Sequence, residues 1–235
     1  MPRGALRRHG RAGGVGQVTG RRVVLLRHGQ TEHNAESRMQ GQLDTSLSEL
    51  GERQARAAGA AFAGMHPHAI VSSDLHRAYD TALAVGAATG VAVQTDPRLR
   101  ETHLGEWQGR THYEVDAVHP GARDHWRADA TWAPPGGESR VQVAARAVPV
   151  VEEFVTRMDR RGTWADRPLL VVAHGGVIAA VTAALLGLPV DRWPVIGGIG
   201  NTGWAELGSR MGRSSPQWRL NVWNADAGSG DGIVG

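Results

Sequence analysis

Two short apolar runs end in the same way, and that repetition limits the folds open to this chain. Val23-Val24-Leu25-Leu26 passes into Arg27-His28-Gly29, and Leu169-Leu170-Val171-Val172-Ala173 passes into His174-Gly175-Gly176. Unbroken apolar runs of this length predict strands buried on both faces, the pattern of parallel sheets covered by helices. Open α/β sheets bind ligands at the carboxyl ends of their strands. Each run delivers a histidine to such an end, and the first adds a cation. Glycine at those points lets the backbone turn sharply and approach a ligand closely. Arg-His-Gly alone is a weak signal in a chain this rich in arginine and glycine; its placement and its downstream partners give it meaning.

The elements between the two runs follow the same logic. Ser46-Leu47-Ser48-Glu49 has capping-box spacing. It predicts a helix to about Ala63 with Leu47, Leu50, Ala57, Ala58, Ala61 and Phe62 facing inward. Ala69-Ile70-Val71 reads as a second strand, and Ser72-Ser73-Asp74 as a cap for a helix ending near Gly90. That helix carries Arg77 in its first turn, where the macrodipole also favours an anion. Val91-Ala92-Val93 reads as a third strand. Residues 108–137 break the rhythm and close on Pro134-Pro135-Gly136-Gly137, which suggests a cap-like insertion over the sheet edge. Glu138 to Met158 is helical in pattern, with Pro149 expected to kink or split it. Trp218 to Trp223 alternates as a final strand. The expected fold is a three-layer α/β/α domain over residues 21–224 with a mostly parallel central sheet. Residues 1–20 are expected to be a disordered extension, and 225–235 a flexible tail.

Charge excludes some functions. The net charge is +3, yet residues 1–22 hold six arginines and no acid. The rest of the chain holds 20 basic residues against 23 acidic ones, so the globular body is slightly negative and a poor polyanion binder. The extension alone would have to serve as a nucleic-acid arm or targeting segment; a nonessential extension is the simpler reading. No lysine and no cysteine occurs, so disulfides and thiolate metal sites are ruled out. His66-Pro67-His68 has no acidic partner nearby and reads as a solvated loop. No cofactor is implied. No apolar run reaches the roughly 18 residues of a membrane span, and no leader pattern is visible. A cytoplasmic setting without membrane or nucleic-acid partners is expected, and a homodimer is left open.

His28, His174, Arg27, Arg77 and Glu101 all fall at strand ends, loops or helix starts. A phosphoryl group in transfer spreads negative charge over three oxygens, which positioned cations stabilise. Arg27 and Arg77 suit bidentate phosphate contacts. A neutral imidazole can attack phosphorus and divide one hard displacement into two. The leaving oxygen needs a proton, which a carboxyl group can supply and later recover from water.

With these residues in view, the sequence resembles the histidine phosphatase superfamily, in its phosphoglycerate-mutase-like branch, over about residues 22–224. Arg27-His28-Gly29 with Asn34, Arg38 and Gly41 resembles the opening signature. Asp44, Leu47, Gly51 and Gln54-Ala55 adjoin it. Ser73-Asp74-Leu75-His76-Arg77-Ala78, Leu99-Arg100-Glu101 and His174-Gly175-Gly176 resemble the later blocks. The resemblance implies a phosphorylated nucleophile at His28 and a proton donor at Glu101. It implies phosphoryl binding by Arg27, Arg77 and His174, with Asn34 and Gln40 lining the pocket. Pro135-Gly136-Gly137-Glu138-Ser139 resembles the phosphatase side of the branch. Residues 37–50, 100–109, 131–140 and 193–204 resemble members of that branch acting on a small phosphorylated metabolite, and the resemblance implies a glucosylated 3-phosphoglycerate as substrate. A cofactor-dependent mutase, a phosphatase for another small metabolite and a non-catalytic phospholigand-binding protein are the alternatives. On the leading reading Trp107, Trp126 and Trp132 are the candidates for covering a sugar face.

Overall fold

The computed structural model describes residues 20–164, 167–210 and 217–227. The expected extension up to residue 19, and the tail from 228 onwards, lie outside the described residues. Gly20, assigned to the extension, is instead the first residue of β1 (Gly20–Arg27) and pairs with Arg210. A four-residue helix, α1 (Glu32–Ala35), follows, then α2 (Glu49–Ala63) and β2 (Ala69–Ser72). Next come α3 (His76–Thr89), β3 (Val93–Thr95), α4 (His112–Val118) and α5 (Ala122–Ala128). The chain continues through α6 (Arg140–Arg161), β4 (Leu169–Ala173), α7 (Gly175–Leu185), β5 (Trp204–Arg210) and β6 (Arg219–Ala225).

Among the described residues six strands form one sheet in the order β3-β2-β4-β1-β5-β6. The β3/β2, β2/β4 and β4/β1 pairs are parallel, and β5 alone runs against the others. Side chains alternate along each strand, which divides the core in two. Val23, Leu25, Val171 and Ala205 face α6 and α7. Val24, Leu26, Ile70 and Val172 face α2 and α3. This is the expected three-layer fold, and its apolar central strands are what allow both faces to be covered.

Several local expectations need correction. Ser48 caps α2, accepting from the Gly51 N–H at 3.1 Å, and Ser46 stays exposed. The fully buried stripe of α2 is Gly51, Ala55, Ala58, Gly59 and Phe62, while Leu47, Leu50, Ala57 and Ala61 are only half-buried. No side chain caps α3 at its Leu75 N-cap; Asp74 is drawn instead into an ion pair with Arg100 at 2.6 Å. β3 begins at Val93, because the chain spends Val91 and Ala92 leaving the left-handed turn at Gly90. Pro149 does not split α6, whose inward stripe from Val143 to Met158 is buried throughout. Packing along 22 residues outweighs the roughly 3 kcal/mol that an interior proline costs. The final strand, expected over Trp218–Trp223, spans Arg219–Ala225 and pairs with β5, a strand with no alternating pattern of its own.

Close backbone crossings hold the site-bearing loops. The exit of β1 crosses the first turn of α2, where a Cβ on Gly51 would fall on the Gln30 carbonyl oxygen and one on Gly29 would fall on the Gly51 carbonyl. Gly51→Ala should therefore destabilise the protein by about 2 kcal/mol or more despite alanine's higher helix propensity. Gly64, with φ −72° and nothing nearer than 4.0 Å to an added Cβ, should accept alanine without loss. Urea unfolding of both variants checks the pair; equal effects would contradict the crossing argument.

Candidate active site

The parallel register sets Arg27 opposite Ala173, so the residues that follow, His28 and His174, leave neighbouring strands together. The His28 N–H donates to the Ala173 carbonyl at 3.1 Å, and the two rings lie 5.1 Å apart between centroids. Both imidazoles are buried. His28 Nδ1 lies 2.6 Å from the Gly29 carbonyl oxygen, an acceptor only, which assigns the ring proton to Nδ1 and leaves the Nε2 lone pair free. Burial pushes the His28 pKa well below its ordinary value, and the Arg27 and Arg77 guanidiniums push it in the same direction. Burial, Arg77 and His28 do the same to His174, whose Nε2 lies 2.9 Å from Ser73 Oγ. Both rings are thus neutral at pH 7.

The cations are held as firmly. Arg77, 1% exposed, donates to the Leu43 and Gly41 carbonyls at 2.7 and 2.8 Å. Desolvation lowers its pKa to about 10, so it stays charged. Arg27 donates to the Ile199 carbonyl at 2.6 Å. Arg27 Nε, Arg77 Nε and His174 Nδ1 are buried with no hydrogen-bond partner. Buried donors are nearly always satisfied. Three orphans around one imidazole mark a place built for an acceptor, and the surrounding charge selects an anion.

Glu101 faces this group from the turn after a short 3-10 segment, Pro97–Leu99. Its Oε1 accepts from the Thr102 N–H at 2.7 Å and its Oε2 from the Gly176 N–H at 3.1 Å. A Cβ on Gly176 would come within 2.6 Å of that carboxylate, which explains the second glycine after His174. Asn34 Oδ1 and Gln40 Oε1 are both engaged, the first by Asn201 at 3.2 Å and the second by the Thr31 and Thr45 hydroxyls. That orientation turns their amide N–H groups to donate elsewhere.

Arg27, His28, Asn34, Gln40, Arg77 and Glu101 line one cavity of about 250 Å³, and His174 is buried beneath it against His28. The structure therefore brings all seven sequence-read residues together. Sequence reasoning missed Arg38, Met39, Thr102, Leu104 and His112 as lining residues, and Asn201, which donates to the His28 carbonyl at 3.2 Å. The insertion reaches the cavity through His112 and Trp126. Of the three tryptophan candidates only Trp126 lines the pocket. Trp107 is fully buried, edge-on to Trp126 and tilted against Trp132. Among the described residues no cluster of three His, Asp or Glu side chains is placed to hold a metal ion, and no helix is long and apolar enough to cross a membrane.

The model of the histidine phosphatase superfamily, branch 1, matches residues 23–226. The chain belongs to that superfamily. It is similar to glucosyl-3-phosphoglycerate phosphatase of Mycolicibacterium vanbaalenii, 60% identical over 215 residues, covering 88% of this chain and 96% of that protein. The protein of the same name from Mycobacterium tuberculosis is 58% identical over 213 residues, with the same coverage. A solved mycobacterial glucosyl-3-phosphoglycerate phosphatase in complex with VO3 superposes with a TM-score of 0.85 at 59% identity, covering 88% of this chain and all of that one. This histidine phosphatase is a phosphatase by family and relatives alike.

The depressed imidazole pKa values carry a stability consequence for a histidine phosphatase. Below about pH 6.5 an unfolded histidine binds a proton that native His28 does not. Stability should then fall as pH drops from about 6.5, by up to about 1.4 kcal/mol per unit for each such ring. Urea unfolding at stepped pH should show His28→Gln with a slope shallower by about that amount. Identical slopes would mean that native His28 titrates normally.

Proposed function

We propose that this chain hydrolyses glucosyl-3-phosphoglycerate by two successive in-line displacements at phosphorus, with His28 carrying the phosphoryl group between them. The observation that carries the reading is the buried, neutral His28 with Nδ1 committed to Gly29 and Nε2 free. In the first displacement the Nε2 lone pair forms the N–P bond while the P–O ester bond breaks. The departing oxygen takes its proton from Glu101. In the second, Glu101 removes a proton from water, the water oxygen bonds to phosphorus, and the N–P bond returns its pair to Nε2. The unpartnered N–H groups of Arg27 and Arg77, together with the unpartnered His174 Nδ1, suit the phosphoryl oxygens, where charge-assisted bonds act at low dielectric. Asn34 and Gln40 add amide donors at the rim.

Two relatives of 58–60% identity that carry this activity in their names support the substrate. The lining supports it too. Leu104, His112 and Trp126 share the cavity with the cations Arg27 and Arg77 and supply a mixed apolar and hydrogen-bonding surface suited to a hexose. Binding energy from a remote group of this kind appears in catalysis as well as in affinity.

A panel of phosphorylated metabolites assayed side by side should give glucosyl-3-phosphoglycerate a kcat/KM about tenfold or more above 3-phosphoglycerate, and Trp126→Ala should narrow that gap. Substrate followed by alkaline quench should leave acid-labile phosphate on the His28 peptide, absent in His28→Ala. Rapid isomerisation of 3-phosphoglycerate, or another ester preferred by more than about tenfold, would remove the substrate assignment. Full turnover by His28→Ala would remove the mechanism.

A further inference from the structure

Glu101 hangs from a turn that has little secondary structure of its own; Gln42 Nε2 donates to its carbonyl at 3.0 Å, and a side chain from a neighbouring helix braces the turn more broadly. Arg146, on α6, donates through Nη1 to the carbonyls of Arg98 and Arg100, both at 2.7 Å. Nη2 donates to the carbonyl of Glu101 itself at 2.9 Å and to Glu138 Oε2 at 2.9 Å. Nε donates to Glu138 Oε1 at 2.9 Å. A guanidinium has five N–H donors in a rigid plane, and all five are spent here. Three go to the backbone that presents the carboxyl group.

Glu138 completes the clamp. Its Oε2 also accepts from the His103 N–H at 2.8 Å, and the Glu138 N–H donates back to the His103 carbonyl at 2.7 Å. Burial alone would raise the Glu138 pKa, but hydrogen bonds from Arg146 and from His103 outweigh it and keep the carboxylate ionised. The chain is therefore pinned on both sides of Glu101, at residues 98 to 101 by Arg146 and at residue 103 by Glu138. The carboxyl group itself is gripped from another direction, by the N–H groups of Thr102 and of Gly176 in α7. Arg146 does not line the cavity, so it touches no bound ligand; its hydrogen bonds go to the Glu101 turn and to Glu138, and its charge also helps to lower the His174 pKa.

We propose that Arg146 is a positioning residue for the proton donor, with Glu138 as its counter-ion, and that the pair fixes the Glu101 carboxyl against the leaving-group oxygen. This rests on the reading of Glu101 as general acid. Misplacing a catalytic group by about 1 Å can cost on the order of a hundredfold in rate. Lysine cannot substitute, since a point charge with three rotatable donors does not span three carbonyls and a carboxylate.

A general acid matters most for a poor leaving group, and that separates positioning from general damage. The experiment measures kcat/KM for phenyl, 4-chlorophenyl and 4-nitrophenyl phosphate, whose leaving groups improve in that order, in wild type, Arg146→Met, Arg146→Lys, Glu138→Gln and Glu101→Gln. Glu101→Gln should lose most on phenyl phosphate and least on 4-nitrophenyl phosphate. The Arg146 variants should show the same graded loss, roughly ten- to a hundred-fold on phenyl phosphate, while the affinity for vanadate stays within about threefold of wild type. If the Arg146 variants do not fold, Glu138→Gln should carry the same grading in milder form. Loss that is uniform across the series in the folded clamp variants, or no loss, overturns this inference alone provided Glu101→Gln is graded. A uniform effect in Glu101→Gln overturns the general-acid reading and this inference with it.

Discussion

The structure depends on holding two neutral imidazoles and two guanidinium ions together at the ends of adjacent buried strands. Burying a charge without a partner costs several kcal/mol even after relaxation, and Arg77 is almost wholly removed from water. The fold tolerates this because the guanidiniums are anchored to backbone carbonyls of Gly41, Leu43 and Ile199 and because Glu101 stands opposite. What remains is an excess of positive potential with unpartnered N–H groups around His28. A phosphate dianion supplies both the charge and the acceptors. The apolar sheet beneath, bound on both faces by helices, gives the rigidity that keeps the set in place without ligand.

The phosphoryl end and the leaving-group end are built from different parts of the chain. Arg27, His28 and His174 come from the paired strand ends, whereas Glu101 comes from a turn braced by α6 and α7. The turn at 103–105 packs on that at 135–137 so closely that a Cβ on Gly105 or Gly137 would strike backbone, and Gly105 has φ +52°. The insertion is thereby tied to the loop that carries Glu101, and its Trp126 and His112 reach the same cavity. Variation in residues 108–132 can alter what the pocket admits without disturbing the phosphate end.

Much of this was legible in the sequence for a physical reason. Val23–Leu26 and Leu169–Ala173 are continuous apolar runs, and only strands covered on both faces need such runs, so they gave the sheet, its parallel sense and the place of the two histidines. Arg77 was legible because a glycine and a polar cluster bracket its helix. Cap identity was less so: two serines and an aspartate precede α3, yet Asp74 is claimed by Arg100, 26 residues later. β5 was invisible because Trp204–Arg210 mixes glycine, serine and charge and is made a strand by its partner β1. Asn201 and Arg146 carry no local pattern at all. Their roles arise from contacts across long sequence separations, 173 residues for Asn201 to His28, which no spacing rule encodes. Trp107 and Trp126 look alike in sequence; only packing sends one to the core and leaves the other at the pocket.

The central claim is that the phosphoryl group rests on His28 between two displacements, and stereochemistry at phosphorus tests it most directly. Each in-line displacement inverts the phosphorus centre, so two in succession restore its configuration. A phosphorothioate ester made chiral with oxygen isotopes, hydrolysed by the enzyme in isotopically labelled water, should yield inorganic thiophosphate with overall retention. Inversion would mean that water attacks the substrate directly, and would contradict the account.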